Sequence, residues 1–285
     1  MQLITTISDI REQVAKARQQ HQRIALVPTM GNLHEGHLTL VREARRHADV
    51  VVASIFVNPT QFGPNEDYDR YPRTLESDRQ QLADSGCDLL FAPSAQEIYP
   101  NGLENLTRVH VPAVSEGLCA GSRPSHFDGV ASVVSILFHS VWPDVALFGK
   151  KDYQQLGVIR KMVRDLHMPI EIVGVDTVRD NSGLALSSRN GYLSSEEHQQ
   201  AALIRQRLSD IALNIRDSGD IERALTEGRQ QLERDGFTLD YLECRDIHLT
   251  PVTSETQAVV VLVAVWLGTT RLIDNIEVTL NTAVA

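Results

Sequence analysis

The sequence predicts an α/β protein in which a domain built on a parallel sheet is followed by a smaller α+β domain. Two observations lead to this. As far as residue 175, short apolar runs rich in branched residues alternate with amphipathic segments of helical period, as in parallel strands joined by helices. From Ser194 onward, two amphipathic helical segments precede three strand-like apolar segments, an order typical of α+β domains.

The N-terminal part contains the first strand–helix–strand unit. A helix is expected at residues 8–20, with Ser8 or Asp9 as its cap and Ile10, Val14 and Ala17 on its inner face. A buried strand at 23–27, a helix at 38–48 and a second strand at 49–57 follow. Such crossovers are right-handed by default, so the loops after both strands open on the same edge of the sheet.

The remaining elements follow from the same two patterns, which are short apolar runs for strands and amphipathic segments of helical period for helices. In the first domain we expect a helix at 72–85 with Leu75 and Leu82 inward, a strand at 87–93, an edge strand at 106–111, a helix at 130–141, a strand at 144–148, a helix at 153–166 and a strand at 170–175. In the second we expect helices at 195–216 and 221–235 and strands at 239–247, 258–266 and 271–278. The pattern changes near 175–180, so the predicted domains are residues 1–177 and 178–285.

Composition excludes several functions. The 42% hydrophobic and 22% charged fractions are ordinary for a soluble globular protein. A net charge of −10, without any long Lys/Arg cluster, argues against nucleic-acid binding, because neutralising phosphates needs a basic face. The longest apolar run, 258–267, is too short to span a bilayer, and the N-terminus has no signal-peptide pattern. We therefore expect a cytoplasmic protein with no membrane or nucleic-acid partner.

The three cysteines, Cys87, Cys119 and Cys244, are far apart and match no metal or redox spacing. We expect them to be reduced and structural. An anionic substrate would have to be met by a few local positive groups, because the chain as a whole is acidic.

The loop at residues 28–37, between the first buried strand and its helix, is the strongest candidate site. In an open α/β sheet such a loop lies where ligands bind, and the free N–H groups of the incoming helix favour an anion. Gly31 and Gly36 would let the backbone approach a ligand. His34 and His37 are three residues apart, which places both imidazoles on one side of a first helical turn. Taken alone, such a pair is as compatible with helix capping as with catalysis.

No metal site is predicted at this loop. The spacing of His34 and His37 is not the four-residue spacing of a zinc peptidase, and no nearby cysteine supplies a third ligand. Asn58 and Gln61, in the turn-rich loop after the second strand, are candidates to face the first loop, since both loops open on one edge.

Four segments resemble motifs of one family. Pro-Thr-Met-Gly-x-x-His-x-Gly-His at 28–37 resembles the signature of the pantothenate synthetase (pantoate:beta-alanine ligase) family, whose short form His-x-Gly-His also occurs in nucleotidylyltransferases and class I aminoacyl-tRNA synthetases. The segments at 123–127, 148–152 and 186–189 resemble the family's Arg-Pro-Gly-His-Phe, Phe-Gly-x-Lys-Asp and Leu-Ser-Ser-Arg motifs, in the family's order. Ser125 stands where glycine is usual, and Lys150 where an acidic residue is common.

The resemblance runs nearly end to end and implies a Rossmann-like first domain, with the second domain forming a lid over the site. It implies ATP-dependent condensation of (R)-pantoate with beta-alanine to pantothenate, AMP and pyrophosphate through a pantoyl adenylate. ATP would be used with Mg²⁺, which bridges the phosphates and needs no dedicated protein cage. The family resemblance also implies a homodimer.

The same resemblance assigns residue roles. His34 and His37 would bond the triphosphate, with His37 as general acid, and Lys151 and Arg189 would neutralise charge at the phosphates; these four form the expected catalytic set. The expected ATP contacts are Met30, Gly31, Asn32, Leu33, His34, Glu35, Gly36, His37, Gly149, Lys150, Lys151, Asp152, Val178, Leu186, Ser187, Ser188 and Arg189. Gln61 and Gln155 would hold pantoate, and Gln61 would also contact beta-alanine.

Residue chemistry supports the phosphate assignment at two segments. Lysine at a helix N-terminus opposes the helix dipole, a conflict that a bound polyphosphate removes, and the motif favours Lys151 over Lys150 for this role. Ser187, Ser188 and Arg189 supply hydroxyls and a forked guanidinium, which are suited to phosphate oxygens.

Two other functions remain open at this point. A nucleotidylyltransferase would share the His-x-Gly-His loop but would stop at an activated product and need no amine. A non-catalytic nucleotide-binding regulator would bind ATP without making pyrophosphate.

Overall fold

The computed structural model describes residues 1–64 and 66–281, and the chain divides into two compact units. The first comprises residues 1–115, 123–150 and 158–176. The second comprises residues 116–122, 151–157 and the chain from Thr177 onward. Two short segments therefore cluster with the second unit although they lie within the first 177 residues of the sequence. Apart from these, the second unit starts one residue before the predicted boundary.

Six parallel strands form the sheet of the first unit, in the order β1-β4-β3-β2-β5-β6. The strands are β1 (Gln2–Ile4), β2 (Ile24–Thr29), β3 (Val50–Ile55), β4 (Leu89–Phe91), β5 (Val145–Gly149) and β6 (Glu171–Val175). The helices are α1 (Ile7–Gln19), α2 (Glu35–His47), α3 (Leu75–Asp84), α4 (Ala95–Ile98) and α6 (His126–Val141). The predicted α/β architecture is confirmed.

The centre of this sheet is inaccessible to solvent. Residues 25–27 of β2, 51–53 of β3 and 145–147 of β5 all have 0% exposure. Parallel strands covered on both faces are continuous apolar runs, which is why these strands were predictable from sequence. Strand β1 was not predicted, because three residues are too few to show a period.

Three predictions in this unit are wrong. No strand forms at 106–111: the Val109 N–H donates to Ser132 Oγ of α6 (2.9 Å) instead of to a neighbouring strand. The cap of α1 is Thr6, whose Oγ1 accepts from the Asp9 N–H (3.1 Å), and not Ser8 or Asp9. Leu75 is 36% exposed, because the turn that contains it lies at the outer start of α3.

The second unit is an α+β domain, as predicted. Its strands β7 (Thr238–Asp246), β8 (Ala258–Leu267) and β9 (Thr270–Thr279) form an antiparallel sheet in that order. Its helices are α5 (Cys119–Ser122), α8 (Ser195–Ala201), α9 (Leu203–Ser218) and α10 (Ile221–Arg234). The single helix predicted at 195–216 is two helices, interrupted at Ala202. Helix α7 (Tyr153–Asp165) begins in this unit, and its residues from Val158 onward cluster with the first unit.

Both faces of the small sheet are covered. On one face Val261 and Val263 belong to a core built with α9 and α10. On the other face Val260 and Leu262 pack with Leu118 and Tyr153, which come from the two inserted segments. In an antiparallel sheet, one face is commonly exposed to water, and the residues of each strand then alternate between apolar and polar. Strand β8 is apolar at consecutive positions because neither face of the sheet is solvated. This explains the long apolar run at 258–267.

Burial also lowers the reactivity of the cysteine thiols. All three are free thiols. Burial raises the pKa of Cys87 to about 11, and that of Cys244 to about 11 as well. A thiol with a raised pKa stays protonated and is a poor nucleophile. This agrees with a structural role for these two cysteines.

Within residues 1–64 and 66–281, no helix combines the length and the hydrophobicity that crossing a membrane would require.

Candidate functional site

The loop at 28–37 joins β2 to α2 and brings its two histidines together. His34 is the N-cap of α2, and His37 lies in the first turn. The Gly36 N–H donates to His34 Nδ1 (3.1 Å), and the His34 N–H donates to His37 Nδ1 (3.3 Å). The ring centroids are 4.1 Å apart, so both imidazoles do lie on one side, as predicted.

This capping arrangement determines the tautomer of each ring. A nitrogen that accepts a hydrogen bond carries no proton, so in the neutral imidazole the proton is on Nε2. The capping alternative is therefore correct for Nδ1, and it is compatible with a catalytic role for Nε2. Each ring is held through Nδ1 at a helix N-terminus, which itself favours an anion.

The two glycines of the loop are required by the loop's own packing. Gly31 has φ +82°, and a Cβ there would lie 3.1 Å from Asp78 Oδ2. A Cβ at Gly36 would lie 2.9 Å from the ring of His34. From the sequence alone, close approach of a ligand explains these glycines. The structure adds a second reason, which is steric: a side chain at either position would crowd neighbouring atoms of the protein.

Asp78 on α3 supports the loop from beneath and was missed by the sequence reasoning. Its carboxylate accepts from the Asn32 N–H (2.9 Å), the Leu33 N–H (2.9 Å) and Thr74 Oγ1 (3.1 Å), and the residue is 1% exposed. A buried carboxylate is costly unless it is fully hydrogen-bonded. The available signal was an acidic residue on the inner side of a predicted amphipathic helix.

A short 3₁₀ turn, Pro59–Gln61, places Gln61 beside the signature loop. Gln61 Nε2 donates to Met30 Sδ (3.0 Å), and its Oε1 accepts from Asn58 Nδ2 (3.1 Å). Asn58 is 1% exposed, and its Oδ1 accepts from Tyr99 OH (2.6 Å). The expectation that the loop after the second strand faces the first loop is confirmed.

The start of α6 and the residues before it are held against the same turn. His126 Nδ1 lies 2.7 Å from the carbonyl oxygen of Gln61, and Arg123 forms hydrogen bonds to both carboxylate oxygens of Glu66 (2.6 and 2.5 Å). Partial burial alone raises the pKa of Glu66, but the hydrogen bonds and the charge of Arg123 outweigh it, so the pKa is lowered. Glu66 therefore remains an anion that anchors Arg123.

Ser125 adopts the left-handed conformation (φ 64°) as the N-cap of α6. This is the conformation that glycine adopts most easily, and in a residue with a Cβ it costs about 1–2 kcal/mol. Ser125 therefore replaces the glycine of the resembled motif but adopts a backbone conformation that suits glycine.

The second lysine-bearing turn is a 3₁₀ turn, Lys150–Asp152, between β5 and α7. Lys151 Nζ is 3.8 Å from Asp152 Oδ1, and the Lys151 carbonyl oxygen accepts from Asn275 Nδ2 of β9 (2.9 Å). Lys150 Nζ is 2.8 Å from Asp176 Oδ1, whose side chain is 90% exposed. Only Lys151 thus has its backbone fixed by the small sheet.

The serine–arginine segment follows a short hairpin. Arg179 and Ala185 form an isolated antiparallel bridge, and the Leu186 N–H donates to the Val178 carbonyl oxygen (3.0 Å). Ser187 caps the 3₁₀ turn Ser188–Tyr192 by accepting from the Arg189 N–H (3.2 Å). The hairpin therefore presents the serine–arginine segment from a fixed base.

The predicted site residues divide between the two units. Met30, Gly31, Asn32, Leu33, His34, Glu35, Gly36, His37, Gln61, Gly149 and Lys150 belong to the first, and Lys151, Asp152, Gln155, Val178, Leu186, Ser187, Ser188 and Arg189 to the second. Among residues 1–64 and 66–281, no three His, Cys, Asp or Glu side chains are grouped so that they could hold a metal ion.

Comparison with known proteins extends these observations. The family model for pantoate-beta-alanine ligase matches residues 2–277. A pantothenate synthetase from Pseudomonas fluorescens is 54% identical over 284 residues, covering 99% of this chain and 99% of that protein. The structure of pantothenate synthetase from Thermus thermophilus superposes with a TM-score of 0.91 at 45% identity, covering 98% of this chain and 100% of that one.

A third relative was solved with ligands. Pantoate-beta-alanine ligase from Francisella tularensis, described as complexed with beta-gamma ATP and beta-alanine, has a TM-score of 0.80 and 35% identity, with 97% of each chain covered.

The parallel sheet, with a His-x-Gly-His loop at the carboxyl end of its strand β2, defines an enzyme of the Rossmann-like α/β class. Within that class, the chain belongs to the pantoate-beta-alanine ligase family. It is accordingly a ligase of pantothenate biosynthesis.

Proposed function

We propose that this chain condenses (R)-pantoate with beta-alanine at the expense of ATP, giving pantothenate, AMP and pyrophosphate. The observation that carries the proposal is the loop at 28–37. It holds two imidazoles by Nδ1 at a helix N-terminus, a position that favours an anion. The identity of the substrates is inferred from membership of the family.

In the first step, a carboxylate oxygen of pantoate attacks the α-phosphorus of ATP. A bond forms between the carboxylate oxygen and the α-phosphorus. The bond between the α-phosphorus and the oxygen that links it to the β-phosphorus breaks, and pyrophosphate leaves with that oxygen. Negative charge grows on the phosphate oxygens as this happens. Positioned N–H donors and cations stabilise such charge without reorganising, and this is the work proposed for His34, His37, Lys151 and Arg189.

In the second step, the amine of beta-alanine attacks the acyl carbon of the pantoyl adenylate. An amide bond forms, the acyl C–O bond breaks, AMP departs with that oxygen, and the proton lost by the amine passes to solvent water. We propose that His37 is the general acid of the first step and donates from Nε2 to the departing pyrophosphate, because its Nδ1 is engaged by the His34 N–H.

We assign the substrates to the predicted contact residues. ATP would contact residues 30–37, 149–152, 178 and 186–189, and Mg²⁺ would supply further positive charge at its phosphates. Pantoate would be held by Gln61 and Gln155, and beta-alanine would lie near Gln61. The fixed position of the Gln61 amide beside Met30 supports this assignment. Replacing Gln61 by alanine should raise the KM for pantoate, and an unchanged KM would remove Gln61 from the pantoate site.

Oxygen labelling tests the proposed chemistry. If pantoate attacks the α-phosphorus, one of its carboxylate oxygens stays on that phosphorus when the amine displaces AMP. Pantoate labelled with heavy oxygen in the carboxylate should therefore yield AMP that carries one labelled atom, in an amount equal to the pantothenate formed. Pyrophosphate release without consumption of beta-alanine would indicate a nucleotidylyltransferase, and absence of AMP would indicate a regulator. Pantothenate with unlabelled AMP would exclude the adenylate.

We propose further that the second domain forms a lid, with residues 184–192 closing over ATP and with Gly183 and Gly191 as hinges. The serines and arginine there gain phosphate partners only when the nucleotide is bound, and closure of such loops is a common gating step. Mg²⁺–ATP should slow hydrogen exchange at 184–192. Equal exchange rates with and without nucleotide would contradict the lid.

We also propose a cytoplasmic homodimer, on the basis of family membership and of the composition. Sedimentation equilibrium and cell fractionation measure these two properties. A monomer mass at micromolar concentration would contradict the first, and recovery in a membrane or secreted fraction would contradict the second.

A further inference from the structure

Strand β9 of the small sheet bears two adjacent polar residues that are almost completely buried. Asp274 is 5% exposed and Asn275 is 8% exposed. Successive residues of a strand point to opposite faces. Asp274 shares its face with Leu272 and Ile276, which belong to the core packed on α9 and α10. Asn275 points to the other face, where the inserted segments pack.

Asp274 holds the hairpin that leads to the serine–arginine segment. Arg179 Nη1 and Nη2 donate to the two carboxylate oxygens of Asp274 (2.6 and 2.9 Å), so the pair is bidentate. Arg179 Nη1 also donates to the Gly183 carbonyl oxygen (3.1 Å) across the same hairpin. Because Arg179 is bridged to Ala185, this contact fixes the base of the hairpin just before Leu186.

Asn275 holds the lysine-bearing turn. Its Nδ2 donates to the carbonyl oxygen of Lys151 (2.9 Å). Two residues further along, on the same face, Glu277 Oε1 accepts from Tyr153 OH (2.8 Å). The turn at 150–152 and the first turn of α7 are therefore attached to β9 at two points.

A carboxylate in an apolar row needs a reason other than stability. A buried ion pair often contributes little net stability, because its desolvation cost can exceed the attraction between the charges. Arg205 of α9 also lies close enough to be affected: burial and the charge of Arg179 lower its pKa, against the opposing effect of Asp274. A pair of apolar residues at positions 179 and 274 would avoid this cost. What it could not supply is the two-point contact that orients the hairpin.

We propose that Asp274 and Asn275 are positioning residues, which hold the hairpin before Arg189 and the backbone of Lys151 on opposite faces of one strand. The two cationic groups thereby share one rigid frame within the second unit. The inference rests on the proposed function, in which Lys151 and Arg189 both act on phosphates. It adds residues that do not themselves contact substrate.

Hydrogen exchange in the absence of nucleotide tests the anchoring part. Asp274→Asn keeps the size of the side chain and removes the charged bidentate contact. The matched control is Asp235→Asn, since Arg207 binds Asp235 in the same two-point manner (2.6 and 3.2 Å) between α9 and the end of α10. Asp274→Asn should speed exchange at 179–190 at least tenfold, and Asp235→Asn should not. Equal exchange in that segment for both variants would overturn the anchoring.

Steady-state kinetics tests the consequence for the reaction. We expect Asp274→Asn to lower kcat/KM for ATP at least tenfold with the KM for beta-alanine unchanged, and Asn275→Ala to lower kcat. Asp235→Asn should stay within twofold of wild type in all constants. If Asp274→Asn does not fold, Arg179→Lys keeps the charge pair, loses the fork, and should change the same constants in the same direction. Variants that match the control in every constant would overturn the positioning role.

The two inferences fail in different ways. If the wild-type protein makes no AMP from pantoate, ATP and beta-alanine, the proposed function fails while the exchange experiment still reports on the anchoring. If the wild-type protein is active and Asp274→Asn behaves like Asp235→Asn in both experiments, only the positioning role fails.

Discussion

Replacing Lys151 by alanine is expected to slow formation of the adenylate by about 100- to 1,000-fold, the effect of removing one positioned donor from a developing charge. ATP binding should weaken far less. A group that acts on charge present only in the transition state changes turnover, whereas one that acts equally on the ground state changes affinity. Lys151 suits the first role because its backbone is fixed by Asn275 and its side chain is only 18% exposed.

The neighbouring lysine provides the control. Lys150 pairs with Asp176, an exposed carboxylate, and such surface pairs contribute about 0–1 kcal/mol. Because Lys150 is also an expected ATP contact, Lys150→Ala should lose some activity, but much less of the adenylation rate than Lys151→Ala. Release of pyrophosphate in the first turnover measures both variants. An unchanged burst rate for Lys151→Ala, with only a higher apparent dissociation constant for ATP, would reduce Lys151 to a binding residue.

Replacing His37 by asparagine is expected to slow adenylation by about 100- to 10,000-fold, the range for loss of a general acid. The asparagine oxygen can occupy the position of Nδ1 and still accept from the His34 N–H, so the cap of α2 is kept. What is lost is the donor at the position of Nε2. The free energy of unfolding should accordingly change little, and single-turnover formation of the adenylate should fall.

The glutamine variant provides a second comparison. Glutamine at this third helical position can itself accept from the N–H of the capping residue, as in a capping box, and it also carries an amide N–H donor, so His37→Gln should change the free energy of unfolding little. It should retain more of the adenylation rate than His37→Asn. Denaturant unfolding and single-turnover assays on the same two proteins decide the matter. Wild-type single-turnover rates in His37→Asn would show that His37 is a cap and nothing more.

Local patterns in the sequence were sufficient to predict the parallel sheet, its strand–helix alternation and the position of the signature loop. Strands β2, β3 and β5 are covered on both faces, so their burial is visible as uninterrupted apolar residues. The position of His34 and His37 on one side follows from helix geometry over four residues. Gln61 could be placed beside Met30 because right-handed crossovers bring successive strand-end loops to one edge.

Other features depend on contacts between residues far apart in the chain. The edge strand expected at 106–111 is absent because the Val109 N–H is taken by a helix side chain, Ser132, which no local pattern indicates. Asp78 supports the signature loop across 45 residues of sequence; its place on the inner side of the predicted helix was a signal, but its partners in the loop were not visible from the sequence. The pairing partner of a polar group is decided by which surfaces meet in the folded chain.

The sequence by itself determined the order and type of most elements, since backbone period and side-chain polarity are local properties. Only the tertiary structure decided that Lys151 belongs with the small sheet, although a strand of the large sheet leads directly into it. The reason is physical: Asn275 and Glu277 are 124 residues away from the groups they bind, Lys151 and Tyr153. Hydrogen bonds of that kind depend on which surfaces meet in the folded chain, and they have no signature in the periodicity of either segment.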